Sequence, residues 1–184
     1  IVLNPAAGGD VTAHSAGVNV PGDETAGDIY LSSTSNLRLG AITTDGNTTQ
    51  IVSLATTGGN FSIDQASNTN DHWILTSSAA IAFTGSGSIL ANQVELTVTG
   101  AITSLGTAGV DVSTFGAGPI SLSASAIGDN SNPLVLDPGS GLAVTTTSGN
   151  AFLEFVRTFA TSKFGAISMP TSALLDLNVR SGNL

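Results

Sequence analysis

The chain has 184 residues, enough for one domain with a sizeable core. Only 9% of them are charged, against about 25% in an ordinary globular domain, while 41% are hydrophobic; Gly, Ser, Thr, Asn and Ala fill the gap. The net charge of −9, with Arg38, Arg157, Lys163 and Arg180 scattered, excludes nucleic-acid binding, and the absence of any apolar run near the roughly 20 residues of a membrane span leaves no membrane insertion to expect.

The chain opens on a strand-like run, Ile1-Val2-Leu3, followed by Asn4-Pro5. Residues 17–26 read as an insertion. Asp28-Ile29-Tyr30-Leu31 and Asn36-Leu37-Arg38-Leu39 then alternate apolar and polar residues and stop at Ser or Gly, the pattern of half-buried strands ended by turns. Asn60-Phe61-Ser62-Ile63 repeats that pattern and leads into a polar run from Asp64 to Asp71. His72 is expected in a loop there, with Trp73, the sole tryptophan, anchoring a turn. Val94-Glu95-Leu96-Thr97-Val98 and Pro119-Ile120-Ser121-Leu122 are further strands. Helical periodicity is nearly absent. The best helix candidate is 148–161, whose Phe152, Phe155 and Phe159 suit a packed edge or loop equally well. Both ends read as cuts, so 1–184 is expected to be a single β-solenoid segment of a longer repetitive protein.

Repeats support that expectation. Gly-Ala-Ile followed by a hydroxyl residue occurs at Gly40-Ala41-Ile42-Thr43, Gly100-Ala101-Ile102-Thr103 and Gly165-Ala166-Ile167-Ser168. Gly27-Asp28-Ile29-Tyr30-Leu31 matches Gly149-Asn150-Ala151-Phe152-Leu153, and Val2-Leu3-Asn4-Pro5 matches Val135-Leu136-Asp137-Pro138. Residues 1–44 therefore read as a divergent copy of 134–168. A strand of four or five residues with one apolar face cannot bury itself alone; stacked on its equivalent from the next turn, it forms a continuous interior. At roughly 20 residues per turn the chain makes about nine turns, on the order of 40 Å long. The expected fold is all-β, a right-handed parallel β-helix; a β-sandwich built from the same short strands is the alternative.

The order Pro133-Leu134-Val135-Leu136-Asp137, Gly141-Leu142-Ala143-Val144-Thr145, Gly149-Asn150-Ala151-Phe152-Leu153 resembles the filamentous haemagglutinin-type repeats of large bacterial exoproteins, as do Gly27 to Leu31 and Leu37 to Ile42. The resemblance implies the shaft of an adhesin on the cell surface or secreted outside the cell. The secretion domain of that family carries an Asn-Pro-Asn-Gly motif, whereas this chain has Asn4-Pro5-Ala6-Ala7, so the resemblance points to shaft.

Chemistry is sparse. There are no cysteines, which removes disulfides and Cys-based metal sites. Two histidines, His14 and His72, are too few for a zinc site. The polar run places Asp64, Asn68, Asn70 and Asp71 in one segment, and calcium, which takes oxygen ligands, is the one ion they could hold; a solvated turn is the plainer reading, and no other cofactor is expected. The acids sit mostly beside Gly, Asn or Pro, where they shape turns, so no catalytic residue is assigned and no enzyme is expected. A threonine ladder has only Thr97-Val98-Thr99 and Thr145-Thr146-Thr147 as candidates; an ice-binding face needs the pattern on successive turns, and it does not recur in the sequence. The expected function is a structural shaft. Its expected partners are neighbouring repeats of the same chain or identical subunits, with a host-surface protein or glycan at what the shaft carries. A self-assembling filament or surface-layer subunit is the alternative, and a carbohydrate-processing β-helix enzyme stands behind both.

Overall fold

The computed structural model describes residues 2–3, 10–14, 28–44, 50–115, 118–156 and 163–180, and for 2–3, 10–14 and 163 the backbone alone. The strands form three parallel sheets, and successive turns of the chain visit them in order. One turn shows the plan. Strand Ile51–Thr56 lies in the long sheet I, Phe61–Ile63 in sheet III and Ala66–Asn68 in sheet II; His72–Ser77 then returns to sheet I beside the first strand. Sheet I has eight strands, sheet II six and sheet III five among the described residues. This is a β-solenoid, and the sandwich alternative falls away because every strand pairing is parallel.

Alternation of burial explains each side of the coil. In sheet I, Ile29, Val52, Trp73, Val94, Ile120, Leu142 and Phe164 stack in one inward column. Leu31, Leu54, Leu75, Leu96, Leu122, Val144 and Ile167 stack in the next. Ser67, Ile89, Val112, Leu136, Phe155 and Val179 do the same in sheet II, and Leu37, Phe61, Ile81, Ile102, Ile127, Ala151 and Leu175 in sheet III. These columns meet in one continuous core. Each strand therefore buries its apolar side chains against both the neighbouring turns and the two facing sheets, at roughly 1.5–3 kcal/mol per large residue.

The stacking register sets the turn length. Successive members of the first sheet I column are 21 to 26 residues apart from Ile29 to Phe164. That gives about six turns over this span, on the order of 30 Å, and not nine. The difference has three sources: the six turns cover Ile29 to Phe164 and not the whole chain, each turn is longer than the assumed 20 residues, and Val2 pairs with Ser32, a step of 30.

The internal copy also has a different meaning. Val2 lies in sheet I and Val135 in sheet II; Ile29 lies in sheet I, whereas Ala151 to Phe155 run from sheet III into sheet II. Gly40-Ala41-Ile42 and Ile102 belong to sheet III, but Gly165-Ala166-Ile167 belongs to sheet I. Residues 1–44 and 134–168 thus share strand-forming strings but occupy different sides of the coil. The helix candidate is a strand over Ala151–Phe155, with Phe155 in the core, while 157–162, including Phe159, lies outside the described residues.

The corners are held by hydroxyls and amides. Leaving sheet I, Thr56 Oγ1 donates to Gly59 O (2.6 Å), Ser77 Oγ to the same carbonyl (2.9 Å), and Thr146 Oγ1 to Gly149 O (2.8 Å). Asn36 Oδ1 accepts from Asn60 N, Asn60 Oδ1 from Ala80 N, and Asn150 Oδ1 from Leu174 N, so the corner amides tie turn to turn. The hydroxyls of Thr56 and Ser77 are buried and satisfied locally, which is what a sharp corner inside a stack requires, while the amides tie the turns together at the surface. Gly128 turns the chain with φ of 58°, and a Cβ on Gly118 would lie 1.5 Å from Asn92 O, so neither position accommodates a side chain.

Candidate functional site

The run proposed for calcium is divided by the coil wall. Asp64 sits at the corner after Phe61–Ile63, where its carboxylate accepts from Arg38 of the preceding turn and from Thr84 Oγ1 (3.0 Å) of the next. The Arg38 guanidinium, and then the Thr84 hydroxyl, hold that carboxyl below the usual carboxylate range. Asn68 points outward from sheet II and is exposed, whereas Asp71 is fully buried at the corner into His72–Ser77. Asn70, between them, is half-buried. The four residues therefore differ in burial along one corner segment. Among the described residues, no group of three or more His, Cys, Asp or Glu is placed to hold a metal.

His72 and Trp73 are strand residues, not loop residues. Trp73 is fully buried in the first column, with its indole N–H donating to Thr69 Oγ1 at 2.7 Å. His72 faces outward, and its Nε2 lies 3.0 Å from Glu95 Oε1 on the next turn, an oxygen that also accepts from Gln93 Nε2 at 2.8 Å. Sequence proximity pointed to Asp71 as the neighbouring acid; the stacking register supplies Glu95 instead. His14 lies among residues described by backbone alone.

A second charged site joins distant parts of the chain. Arg180 pairs with Glu154 on the preceding turn and donates from Nη1 to Gly109 O at 2.9 Å. Beneath it, Asp111 is buried and its Oδ2 accepts from Val135 N at 2.8 Å. Burial pushes this carboxyl above its ordinary range, against the opposing pull of the Val135 and Ser104 hydrogen bonds and of Arg180. The cluster braces the 105–111 corner against three later turns.

One groove of about 200 Å³ lies beside the 128–133 corner, lined by Asp129, Pro133, Phe152, Asp176, Leu177 and Asn178 among others. Two carboxylates share it, but Asp129 Oδ1 is committed to its own turn, accepting from Ser131 N (2.7 Å) and Asn132 N (2.8 Å). The Asn132 and Ser131 amides hold Asp129 below the usual range, so it is not placed to serve as the proton donor of a glycosidase pair.

The last described turn exposes apolar side chains. Phe164 is 41% exposed, Ile167 42% and Leu174 52%, although members of the Phe164 and Ile167 columns in the middle of the stack are 0–2% exposed. The outer face of sheet I is different again. It carries small hydroxyl residues on turn after turn: Ser32, Thr76, Thr97, Ser123, Thr145 and Ser168 stack in one column, interrupted once by Ala55. No protein-family model matches the chain, and neither a curated protein nor a solved structure is significantly similar to it.

Proposed function

We propose that the chain is a stretch of structural shaft in an elongated bacterial surface or secreted protein, of the filamentous haemagglutinin-like kind that its repeats resemble. The observation that carries this reading is the pair of inward columns of sheet I that run, with one register shift, to the last described strand of that sheet and stay partly uncovered there, at Phe164 and Ile167. A closed globular domain finishes its core with polar or looped caps; an unfinished column is the form of a solenoid onto which a further turn docks. The low charge and the hydroxyl-rich exterior suit an extracellular location, and rigid extension needs no catalytic centre. The partners on this reading are neighbouring repeats or identical subunits along the axis, and a host-surface protein or glycan at what the shaft presents.

The same open end favours a second form of the reading, in which identical subunits stack end to end as a self-assembling filament. One experiment tests the shaft. Two copies joined head to tail are measured by small-angle X-ray scattering beside the single chain. A shaft lengthens by about 30 Å per added copy with an unchanged cross-section. A duplicate that compacts into a globule overturns the reading, and growth of the single chain with concentration identifies the filament form.

A further inference from the structure

We infer that the outer face of sheet I is an ice-binding surface, formed by a two-column hydroxyl array that the linear sequence conceals. The first column is Ser32, Ala55, Thr76, Thr97, Ser123 and Thr145, each in register with the next. Two residues further on, in the bend just past each strand, lie Thr34, Thr57, Ser78, Thr99, Ser125 and Thr147. Their stacking follows the ladder: Thr57 N donates to Ser33 O, Ser78 N to Thr56 O, Thr99 N to Ser77 O and Thr147 N to Ala124 O. Only Ser125 is displaced, donating to Gly100 O. Six successive turns therefore carry the pattern hydroxyl–inward residue–hydroxyl, and eleven of the twelve positions are Thr or Ser. The pattern seemed not to recur because Ser stands for Thr on several turns and the spacing between turns varies from 21 to 26 residues.

The geometry selects the ligand. Stacked strands place equivalent residues about 4.8 Å apart along the axis, and alternate residues of one strand about 6.7 Å apart. A parallel ladder held by stacked side chains is the setting in which a sheet stays flat. The result is a repeating array of hydroxyls along the axis, and only Thr57 among them bonds back to the protein, weakly, at 3.4 Å to Ser33 O. The others are available to water, as donors and acceptors in a repeating lattice. The threonine methyls between them add apolar area against which water orders. Neither column contains a charge; the charge on this face, the His72–Glu95 pair, starts one column aside. Neither contains an aromatic ring, the platform that a sugar face stacks on; Tyr30 stands one column aside. The grid is not a consequence of general Ser and Thr content. The outward residues of sheet III include Arg38, Ser62, Ala82 and Thr103, and those of sheet II include Asn68, Leu90, Ser113 and Asp137, with no such uniformity. A solid hydroxylic lattice of water fits the face best.

The proposal is independent of the shaft reading, because a rod without ice affinity or an ice binder that is not a shaft are both distinguishable by length. The test partitions the full chain between slowly growing ice and liquid, beside Thr97→Tyr, Thr99→Tyr and, on sheet II, Asn68→Tyr. Circular dichroism and scattering length confirm that each variant keeps the fold. The wild type and Asn68→Tyr are expected to enter the ice and to inhibit recrystallisation, while both threonine variants are expected to stay in the liquid like a non-binding control protein. Wild type that stays in the liquid, equal partition of the threonine variants, or retention on crystalline cellulose in place of ice overturns the inference.

Discussion

Leu75→Ala, compared with Ile167→Ala, tests whether the inward columns are continuous and where they end. Leu75 is fully buried between Leu54 and Leu96. Truncation removes three carbons, worth about 2.4 kcal/mol in transfer free energy. The cavity left behind is closed above and below by neighbouring turns that the ladder holds at fixed spacing, so it collapses poorly and adds roughly 1 kcal/mol. The expected loss is about 3.5 kcal/mol. Ile167 occupies the same column but has Val144 on one side only and is 42% exposed. The same three carbons, discounted for that exposure, cost about 1.4 kcal/mol with little cavity term. Urea unfolding followed by far-ultraviolet circular dichroism measures both, and Trp73, on the same strand as Leu75, reports that turn by fluorescence. Equal losses for the two variants would refute the reasoning, because they would mean that the column is already capped at Ile167.

Three further outcomes follow from named contacts. Thr69→Val leaves the buried Trp73 indole N–H without its acceptor and is expected to destabilise by about 1–3 kcal/mol, read from the same urea curves. Gly118→Val drives a side chain into Asn92 O and is expected to prevent folding of that turn, seen as loss of protease resistance between the 92 and 118 corners. Asp111 has a raised pKa in the fold, so it contributes stability that is fully present below its unfolded pKa and is lost as pH rises through the folded value. The stability of the wild type minus that of Asp111→Asn is therefore expected to fall between acid and neutral pH; a difference that rises with pH would contradict the burial argument. Asp64 and Asp129, whose pKa values are lowered, act in the opposite direction in both proteins and cancel from that difference.

The strands themselves were legible. Ile29 to Leu31, Phe61 to Ile63, Val94 to Val98 and Ile120 to Leu122 alternate in the sequence and alternate in burial. The phase of the coil was not. Any apolar string beginning with Gly serves equally well on any of three sides, so Gly27 to Leu31 and Gly149 to Leu153 look alike and occupy different sheets. Even the string apolar residue, any residue, Leu, which stacks directly at Ile29, Val52, Trp73, Val94 and Ile120, recurs on the other sides, at Leu37 to Leu39 and Leu134 to Leu136. The His72–Glu95 pair and the hydroxyl grid were illegible for the same reason, since both exist only across turns whose lengths differ.

That variation in length is not spread evenly. From the end of a sheet I strand to the next inward residue of sheet III the chain takes a short corner on six successive turns: Ser33 to Leu37, Thr56 to Phe61, Ser77 to Ile81, Val98 to Ile102, Ala124 to Ile127, Thr146 to Ala151. Two longer excursions, 105–111 and 128–133, lie between sheets III and II. Extra residues there loop outward, and the following strand still drops into register. The corner beside sheet I has no such freedom, because Thr56, Ser77 and Thr146 each cap it through a buried hydroxyl bond. Four glycine-serine residues inserted after Gly106 are therefore expected to leave the thermal midpoint and ice partition nearly unchanged. The same four inserted after Ser78 break the cap and shift the second hydroxyl column, and are expected to lower the midpoint and abolish partition. If both insertions are tolerated equally, the corner does not set the register, and the hydroxyl grid loses the constraint that keeps its columns aligned.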